Sequence, residues 1–485
     1  MIYFRKRKTG AVLALTTAIL ASSLYPTGHA GAAAASNMET IQGQVTQVQS
    51  AKTSDEKIAE WNEWAKDHAY RLDSIQPVKT GHERDSFSDL NMLKPLLYDK
   101  RIVFLGESSH GVAEFNLAKT RLIQFLHQEM GYNVLAFESG LSNTSLANAT
   151  IAQQSPEQTM KNSIFGVWWS KEITPLFDYL KTNAQTEQPL ILTGFDMQLQ
   201  FPLLDGNWLK DKKLAKRLAQ TEKKLSEFSA GTDLKAYHAE KNEIIQVYKD
   251  VLQILKSEAN QTYLQKKYPN QPKLSMLLER SLNDRIRVAR EYVDLSIRSM
   301  AEINEGKMES FIDSMEWRDQ AMHDNLMWLT TEVYPNEKFI VWGHNDHIRK
   351  AQSEVMGSPY PIALMGEKLS KEMKQSSYVL GLYASSGQTA DNAGGVHAVE
   401  PAEPGSIEGI MSATNAKYSF LDLRYQSRET GNSWMFEPRF AYSWGIYPES
   451  FVPRDQYDGI LMIDDVHPPQ YIRSSSSGSK EQTKE

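Results

Sequence analysis

The sequence predicts an α/β fold in which helices flank a mostly parallel sheet and a helical subdomain is inserted into it. Short, nearly continuous apolar runs alternate with segments of helical periodicity, as in strands that are buried on both faces of a parallel sheet. Residues 203–335 interrupt this alternation with long, charged, helix-periodic segments. We therefore expect an α/β core built from residues 36–202 and 336–472, with 203–335 as the helical insertion.

The N-terminus is typical of a secretory signal peptide. Basic residues at 5–8 precede the apolar run AVLALTTAILASSL, and small residues follow. The apolar run is shorter than the roughly 20 residues that a membrane-spanning helix needs, which disfavours the alternative of a membrane anchor. We expect a signal peptide over residues 1–35, cleaved near Ala30, Ala32 or Ala35, and an exported protein without stable membrane insertion.

The core elements follow in order along the chain. Apolar residues at helical spacing predict a helix over 54–72, packed on the main body. The β-branched run at 101–106 predicts a strand, and residues 112–130 form a helix pattern that Gly131 can end. The remaining predictions are strands at 132–138, 189–196, 338–346, 377–385 and 457–465, a helix at 171–184, and a disordered polar tail at 473–485.

Composition excludes several classes of function. The net charge is −7 and no basic block lies outside the N-terminus, so nucleic acid is not an expected partner. The chain has no cysteine, which excludes disulfides, a thiol nucleophile and a thiolate metal site. The sequence does not predict an oligomeric state.

Ionisable residues recur where the predicted strands end. Ligands of open parallel sheets bind just outside the carboxyl ends of the strands, so side chains at several such ends should meet in one site. One polar residue at a strand end is usually a cap or a solvated loop residue, but four such strand ends in one sheet favour a functional site. The residues concerned are Glu107, His110, Glu138, Asp196, His344 and His347.

The segment FLGESSHG at 104–111 bears on three kinds of chemistry: a serine nucleophile, a zinc site and base catalysis by a histidine. A serine nucleophile elbow needs a small residue where His110 stands. The zinc motif H-E-x-x-H fails because Gly106 occupies the place of its first histidine. His344 and His347 could add ligands, so a divalent metal stays open as an alternative, although we predict no cofactor. The remaining interpretation is direct base catalysis by a neutral His110.

Base catalysis by a histidine needs two kinds of supporting group. A carboxylate fixes the tautomer of the ring and stabilises the imidazolium, and Glu107 and Glu138 are the candidates. A cation or hydrogen-bond donor stabilises the oxyanion. The candidates for that role are Lys119, Arg121, Arg318 and His344. Lys119 and Arg121 also flank an apolar helix face, where long cations are common without any function. Trp168, in FGVWW, lines either an apolar substrate cleft or the core.

Taken together, these segments resemble the erythromycin esterase family. The resemblance rests on residues 104–140, GVWW, LTGFDMQ (192–198), WRDQAMHDNLMWL (317–329) and WGHNDHI (342–348), and it spans roughly residues 90–465. It implies an α/β core with a helical subdomain and a cleft between them. It further implies ester or macrolactone hydrolysis, with His110 as general base and no covalent intermediate.

The resemblance also assigns supporting residues. Its acidic residues fall on Glu107 and Glu138, and its later histidines fall on His344 and His347. Its basic residue nine positions after the catalytic histidine falls on Lys119, where the macrolide-resistance members tend to have arginine.

We therefore expect an exported hydrolase of an ester or lactone in a small-molecule substrate. The expected catalytic residues are His110, Glu107, Glu138, His344 and Arg121, and the expected substrate-binding residues are Lys119, His347, Arg318, Asp196 and Trp168. The alternatives are a metal-dependent hydrolase that uses the same site and a non-catalytic envelope protein that binds a glycan or lipid.

Overall fold

The computed structural model describes residues 53–79, 87–359 and 361–472. The predicted signal peptide at 1–35 and the predicted tail at 473–485 lie outside these residues. Within them, no helix is both long enough and apolar enough to cross a bilayer.

A nine-stranded sheet forms the centre of the described part of the chain. Its strands are β1 (Tyr70–Arg71), β2 (Ile102–Leu105), β3 (Tyr132–Gly140), β4 (Ile191–Asp196), β5 (Lys338–Trp342), β6 (Ser377–Ala390), β7 (Val396–Ala398), β8 (Tyr418–Asp422) and β11 (Gly459–Val466), and a separate antiparallel hairpin consists of β9 (Arg439–Ser443) and β10 (Tyr447–Phe451). The sheet order is β1-β8-β11-β6-β2-β5-β3-β4, with β7 paired to β6. The strands from β11 to β4 are parallel, whereas β1, β7 and β8 pair antiparallel. The prediction of a mostly parallel α/β sheet is confirmed.

Helices cover both faces of this sheet and also form a subdomain beside it. They are α1 (Asp55–His68), α2 (Leu93–Leu97), α3 (Ala113–Met130), α4 (Leu141–Thr150), α5 (Pro156–Ser163), α6 (Thr174–Asn183), α7 (Lys212–Ser229), α8 (Leu234–Leu255), α9 (Glu258–Lys267), α10 (Leu274–Arg287), α11 (Val293–Asn304), α12 (Glu309–Trp328), α13 (Asn345–Ile348), α14 (Lys371–Gln375), α15 (Ile407–Ser412) and α16 (Pro453–Gln456). Val103 and Leu105 pack with α3 and α6, whereas Ile102 and Phe104 pack with α12 and α15 on the other face. This alternation within β2 is what the period-2 geometry of a strand between two helical layers requires.

The N-terminal helix is shorter than the sequence predicts. The prediction of a helix over 54–72 is wrong at its C-terminal end, because α1 ends at His68 and the chain then enters β1. Tyr70 and Arg71 pair with β8, and this backbone pairing outweighs the helical spacing of the sequence. Ser54 caps the helix as predicted, since its side chain accepts a hydrogen bond from Lys57 N.

Helices α7–α12 lie between β4 and β5. They share an apolar cluster that includes Trp208, Tyr237, Tyr248 and Leu278, all of them fully buried. This cluster is separate from the two that cover the sheet. The subdomain boundaries at 203 and 335 stay a prediction.

Candidate active site

Tight loops at the carboxyl ends of the parallel strands position the polar side chains. β2 runs through Gly106 into Glu107, and the backbone of Gly106 is held by Leu380 O of β6. A Cβ at residue 106 would collide with the Asn345 side chain, so only glycine lets the loop after β5 approach this closely. β3 contains Glu138, β4 ends at Asp196, and His344 follows β5 within two residues.

Glu107 and His110 form the central pair of the site. His110 Nδ1 lies 2.6 Å from Glu107 Oε1. Trp168 Nε1 donates to the same oxygen at 2.8 Å, and Lys119 Nζ donates to Glu107 Oε2 at 2.8 Å. The Glu107 and Lys119 side chains are fully buried, whereas the His110 side chain keeps 12 % of its surface exposed. Of these groups, the His110 ring is thus the one that a substrate can reach.

The electrostatics of this pair keep His110 neutral. Burial acts to raise the pKa of Glu107, but the Lys119 ammonium and the bond to His110 outweigh it and lower that pKa. Burial lowers the pKa of His110 below its ordinary value despite the opposing carboxylate of Glu107. Burial also lowers the pKa of Lys119 to about 8. An ionised Glu107 can only accept, so the ring proton of neutral His110 lies on Nδ1 and the lone pair lies on Nε2.

His344 contributes a second imidazole. The centroids of the His110 and His344 rings are 5.0 Å apart. The backbone N–H of Asp346 donates to His344 Nδ1 at 3.3 Å, and the Asp346 oxygen Oδ2 lies 3.4 Å from the same nitrogen. In the tautomer that accepts from this N–H, the ring proton is on Nε2. His344 Nε2 is buried and has no hydrogen-bond partner among the described residues. A buried N–H without a partner is costly, and it can donate to an oxygen that the substrate brings.

Glu138 holds the loop that carries His344. Glu138 Oε2 accepts from the His344 backbone N–H at 2.8 Å, and Oε1 accepts from Arg318 Nη2 at 2.9 Å. Arg318 also donates to Asp196 Oδ2 at 2.5 Å. Burial opposes charge on Glu138, but the neighbouring cations of His347 and Arg318 hold its pKa well below the usual range. Glu138 and Asp196 therefore fix the position of the site rather than contact His110 directly.

His347 lies behind Glu138, within 3.2 Å of two carboxylates and 3.1 Å from Arg318 Nη1. Its Nδ1 is 2.8 Å from Asp319 Oδ1, and its Nε2 is 3.2 Å from Glu138 Oε1. Burial works against the imidazolium, but the carboxylates of Asp319 and Glu138 outweigh it and raise the pKa of His347 to about 10. A histidine that stays protonated at neutral pH cannot act as the base, which leaves that role to His110.

Aromatic rings enclose the two histidines, and one of these residues was missed by the sequence analysis. The Trp168 ring contacts His110 edge-on, with centroids 4.7 Å apart. Trp444 stacks on His344 at 5.3 Å and meets His110 edge-on at 5.2 Å. Trp444 also has a left-handed backbone with φ 56°, which is rare for a bulky residue and occurs preferentially at functional sites. Its signal in the sequence is the Trp-Gly turn between two short β-patterned runs, FAYS and IYPESF.

The structure does not bring Arg121 into this cluster. Its guanidinium donates to Asp89 Oδ1 at 2.6 Å, to Asp89 Oδ2 at 3.0 Å and to Ser74 O at 2.6 Å. These partners lie in the segment before β2, on a different side of α3 from Glu107. We therefore no longer assign Arg121 to the binding of the carbonyl oxygen.

The structure brings the other predicted site residues together, but not in one role. Lys119, Asp196, Arg318 and Trp168 are buried and bind other protein groups of the site, and their contact with a substrate stays a prediction. In the described ranges, no three His, Asp or Glu side chains are arranged to hold a metal ion. The metal-dependent alternative gains no support from this geometry.

Comparisons with known proteins identify the family of this chain. The family model for erythromycin esterase matches residues 127–466. YbfO of Bacillus subtilis (strain 168), which is named only provisionally as a hydrolase, is 33 % identical over 431 residues, 87 % of this chain and 94 % of that protein. An Escherichia coli erythromycin esterase type II is 25 % identical over 435 residues, 83 % of this chain and 97 % of that protein.

A solved structure shares the fold. A crystal structure described as a succinoglycan biosynthesis protein has a TM-score of 0.63 at 20 % identity, covering 87 % of this chain and 100 % of that one. Because the family model matches most of the chain and YbfO is similar over nearly its whole length, the protein belongs to the erythromycin esterase family and is a hydrolase of that family.

Proposed function

We propose that this protein hydrolyses an ester or lactone bond with a water molecule that His110 activates. The observation that carries the proposal is the pairing of His110 Nδ1 with the buried carboxylate of Glu107, which leaves the lone pair of Nε2 on the exposed part of the ring. This arrangement has the parts of a general base with a fixed tautomer.

The proposed reaction uses this chain's side chains in two steps. His110 Nε2 takes a proton from water while the water oxygen bonds to the carbonyl carbon, and Glu107 stabilises the imidazolium that forms. The carbonyl oxygen becomes an oxyanion and accepts a hydrogen bond from His344 Nε2, which has no partner among the described residues. The tetrahedral intermediate then breaks its C–O bond, and His110 returns the proton to the leaving alkoxide.

The site favours direct attack by water over an acyl-enzyme. Ser108 stands where a nucleophile elbow would place its serine, but its hydroxyl makes no hydrogen bond to any described residue, and the Ser109 hydroxyl is bound to Thr389. A serine nucleophile needs its hydroxyl hydrogen-bonded to the base. We therefore propose no covalent intermediate on Ser108.

The names of the similar proteins suggest two classes of substrate. One relative is named for erythromycin esterase activity and a structural neighbour for succinoglycan biosynthesis, so macrolactones and acylated glycans are the two groups to test. The basic, then apolar N-terminus supports the further proposal that the protein acts outside the cytoplasm.

A substrate screen with matched variants tests the proposed function. Purified protein is incubated with a panel of macrolides, simple lactones and acylated glycans, and mass spectrometry detects the addition of one water. His110→Ala should hydrolyse the substrate about 10²–10⁴-fold more slowly than the wild type, because this is the usual contribution of a general base. Ser108→Ala should keep the rate of the wild type within a few-fold.

Two outcomes would contradict the proposal. Full turnover by His110→Ala would show that His110 is not the general base. Loss of turnover in a folded Ser108→Ala would point to an acyl-enzyme instead. If the wild type hydrolyses nothing in the panel, the alternative of a non-catalytic envelope protein gains the support.

A further inference from the structure

Five cationic side chains surround a recess at the amino ends of the strands, on the opposite edge of the sheet from His110. The recess has a volume of about 450 Å³. Its lining includes Lys350, Lys371, Lys374, Arg424 and Arg454, with Asp458 as the one carboxylate. Asp458 directly precedes β11, and Arg424 Nη1 donates to Ser377 O at the start of β6, which fixes the recess to this edge.

The positive charge of the recess is largely uncompensated. Asp458 Oδ1 accepts from Lys350 Nζ at 2.9 Å, and its Oδ2 lies 3.4 Å from Arg424 Nη1. One carboxylate thus serves two of the five cations, which leaves four formal positive charges in the lining. The whole chain carries a net charge of −7, so this concentration of cations runs against the average of the molecule.

Backbone contacts explain where most of these cations lie but not why they are charged. Lys374 Nζ donates to Lys350 O and Glu367 O, and Arg454 Nη2 donates to Arg424 O. A neutral amide side chain could satisfy such carbonyl oxygens equally well, because a hydrogen-bond donor is all that they need.

Two lysines of the recess add to the case for a bound anion. Burial lowers the pKa of Lys374, the nearby Glu367 carboxylate opposes this, and the Lys350 cation adds the smallest of the three effects. Lys371 is exposed, and no hydrogen bond or ion pair joins its side chain to the described residues. A bound anion would give Lys371 a partner.

We propose that this recess binds a small ligand with two or more anionic groups of the phosphate or carboxylate kind. Its volume lies in the range of roughly 300–1,000 Å³ that is typical of small-molecule sites. Arginine guanidinium groups bind phosphate and carboxylate oxygens in pairs, and lysine ammonium groups add point charges from several directions. The proposal is independent of hydrolysis at His110, because the two sites lie at opposite edges of the sheet.

Calorimetric titration of the purified wild type with tripolyphosphate and with citrate tests the proposal. At low salt, at least one of the two should bind with one site per chain, and the affinity should fall as salt is raised, because the contacts are ionic. The stronger of the two identifies phosphate or carboxylate as the preferred anionic group.

A matched pair of charge reversals locates the binding. Lys371→Glu changes an exposed residue of the recess and should weaken binding at least tenfold. Lys223→Glu makes the same charge change on α7, at a side chain that is 72 % exposed and does not line the recess. It should leave the affinity within twofold of the wild type. Neither residue belongs to the site around His110.

The proposal would be overturned by any of three results. These are no binding of either anion at millimolar concentration, binding that Lys371→Glu leaves unchanged, and binding that Lys223→Glu weakens as much as Lys371→Glu does. A thermal melt of each variant in the absence of anion checks that the fold is retained, and the double variant Lys371→Met/Lys374→Met provides a second test if the charge reversal unfolds the protein.

Discussion

Glu107 accepts three hydrogen bonds although its side chain is fully buried, from His110, Lys119 and Trp168. A buried ion pair is weak evidence for stability, because the cost of removing two charges from water offsets most of their attraction. We infer that the role of the Glu107–Lys119 pair is what it does to His110. It keeps an ionised acceptor beside Nδ1 and so directs the lone pair of the ring to Nε2.

Replacing Glu107 by glutamine should invert the tautomer of His110. Lys119 is the charged donor, so we expect the glutamine oxygen to face it, and the NH₂ group then replaces the oxygen that accepts from Trp168 and faces His110 Nδ1, where it requires an acceptor. The ring proton would then move to Nε2, the position that must take a proton from water. We expect Glu107→Gln to reduce kcat by about 10²–10⁴ while the protein stays folded.

The control for this variant is Glu114→Gln, seven residues further along the chain. Glu114 pairs with His467 on the exterior of the protein, where the His467 side chain is 66 % exposed. This variant should keep its kcat. Wild-type kcat in Glu107→Gln would show that the tautomer of His110 does not limit the reaction.

Among individual residues, the sequence predicted those that stand at the carboxyl ends of parallel strands. Glu107, Glu138, Asp196 and His344 stand at strand ends, and the strand ends meet. Trp444 could not be predicted in the same way. Its contact with His110 depends on how a hairpin more than 300 residues away folds back over the sheet, and no local pattern of the sequence encodes that distance.

Helix α3 shows why two neighbouring cations have different partners. Lys119 and Arg121 are two residues apart, which on an α-helix separates their side chains by roughly 200°. Lys119 consequently faces Glu107, whereas Arg121 faces Asp89 and Ser74. The sequence analysis assigned both to the site, and helical geometry alone argues that one site cannot contain both.

Arg121 should therefore matter for stability and not for chemistry. Its pair with Asp89 is nearly buried, with side chains that are 5 % and 4 % exposed. Removing one partner of a buried pair leaves the other charge without compensation, and we expect Arg121→Met to lower the free energy of unfolding by about 3–5 kcal/mol. Urea denaturation measures this loss.

The same variant should retain its kcat at a temperature where it is folded. A kcat that falls tenfold or more in the folded variant would return Arg121 to the catalytic group. The double variant Asp89→Leu/Arg121→Met removes both charges and should recover part of the lost stability, because neither charge is then left alone.

The strands that the sequence analysis missed are the antiparallel ones. β8, β9 and β10 each have five residues and lie at or beyond the edge of the parallel sheet. The parallel strands were predicted because their apolar runs are bounded by helices of clear periodicity. β8 follows a short helix, and β9 and β10 carry polar residues in between, so neither signal was present.

Over the whole molecule, the parallel sheet gives its two edges different chemistry. The carboxyl ends of the strands collect Glu107, Glu138, Asp196 and His344, and the amino ends collect the cations of the recess. One strand can thus contribute to both edges without the two sites touching. β6 does so, since its first residues border the recess and Leu380 and Leu382 hold the loop that leads to His110.

A buried acid makes the stability of the whole molecule depend on pH. Glu408 on α15 is 1 % exposed, and burial raises its pKa to about 7 although Tyr442 N donates to it. The folded state therefore binds this proton more tightly than the unfolded state, whose pKa is 4.5. The contribution of Glu408 to the free energy of unfolding falls as the pH rises from 4.5 to about 7. Above pH 7 the full cost of burying its charge remains.

Glu408→Gln should remove that cost, because glutamine has the shape and neutrality of the protonated acid. We expect the variant to be more stable than the wild type at pH 8 by about 2–3 kcal/mol, and equal to it near pH 4.5. Denaturation by urea at both pH values measures the difference. A difference of the same size at both would show that the pKa of Glu408 is not raised in the folded protein.

The most direct test of the account is the protonation state of His110 itself. The sequence contains 11 histidines, and ¹⁵N labelling of histidine resolves the two ring nitrogens of each, with His110→Gln identifying the signals of residue 110. The account predicts a neutral ring at pH 7 with its proton on Nδ1 and a titration midpoint below 6.5. A ring that is protonated at pH 7, or a neutral ring with its proton on Nε2, would contradict it.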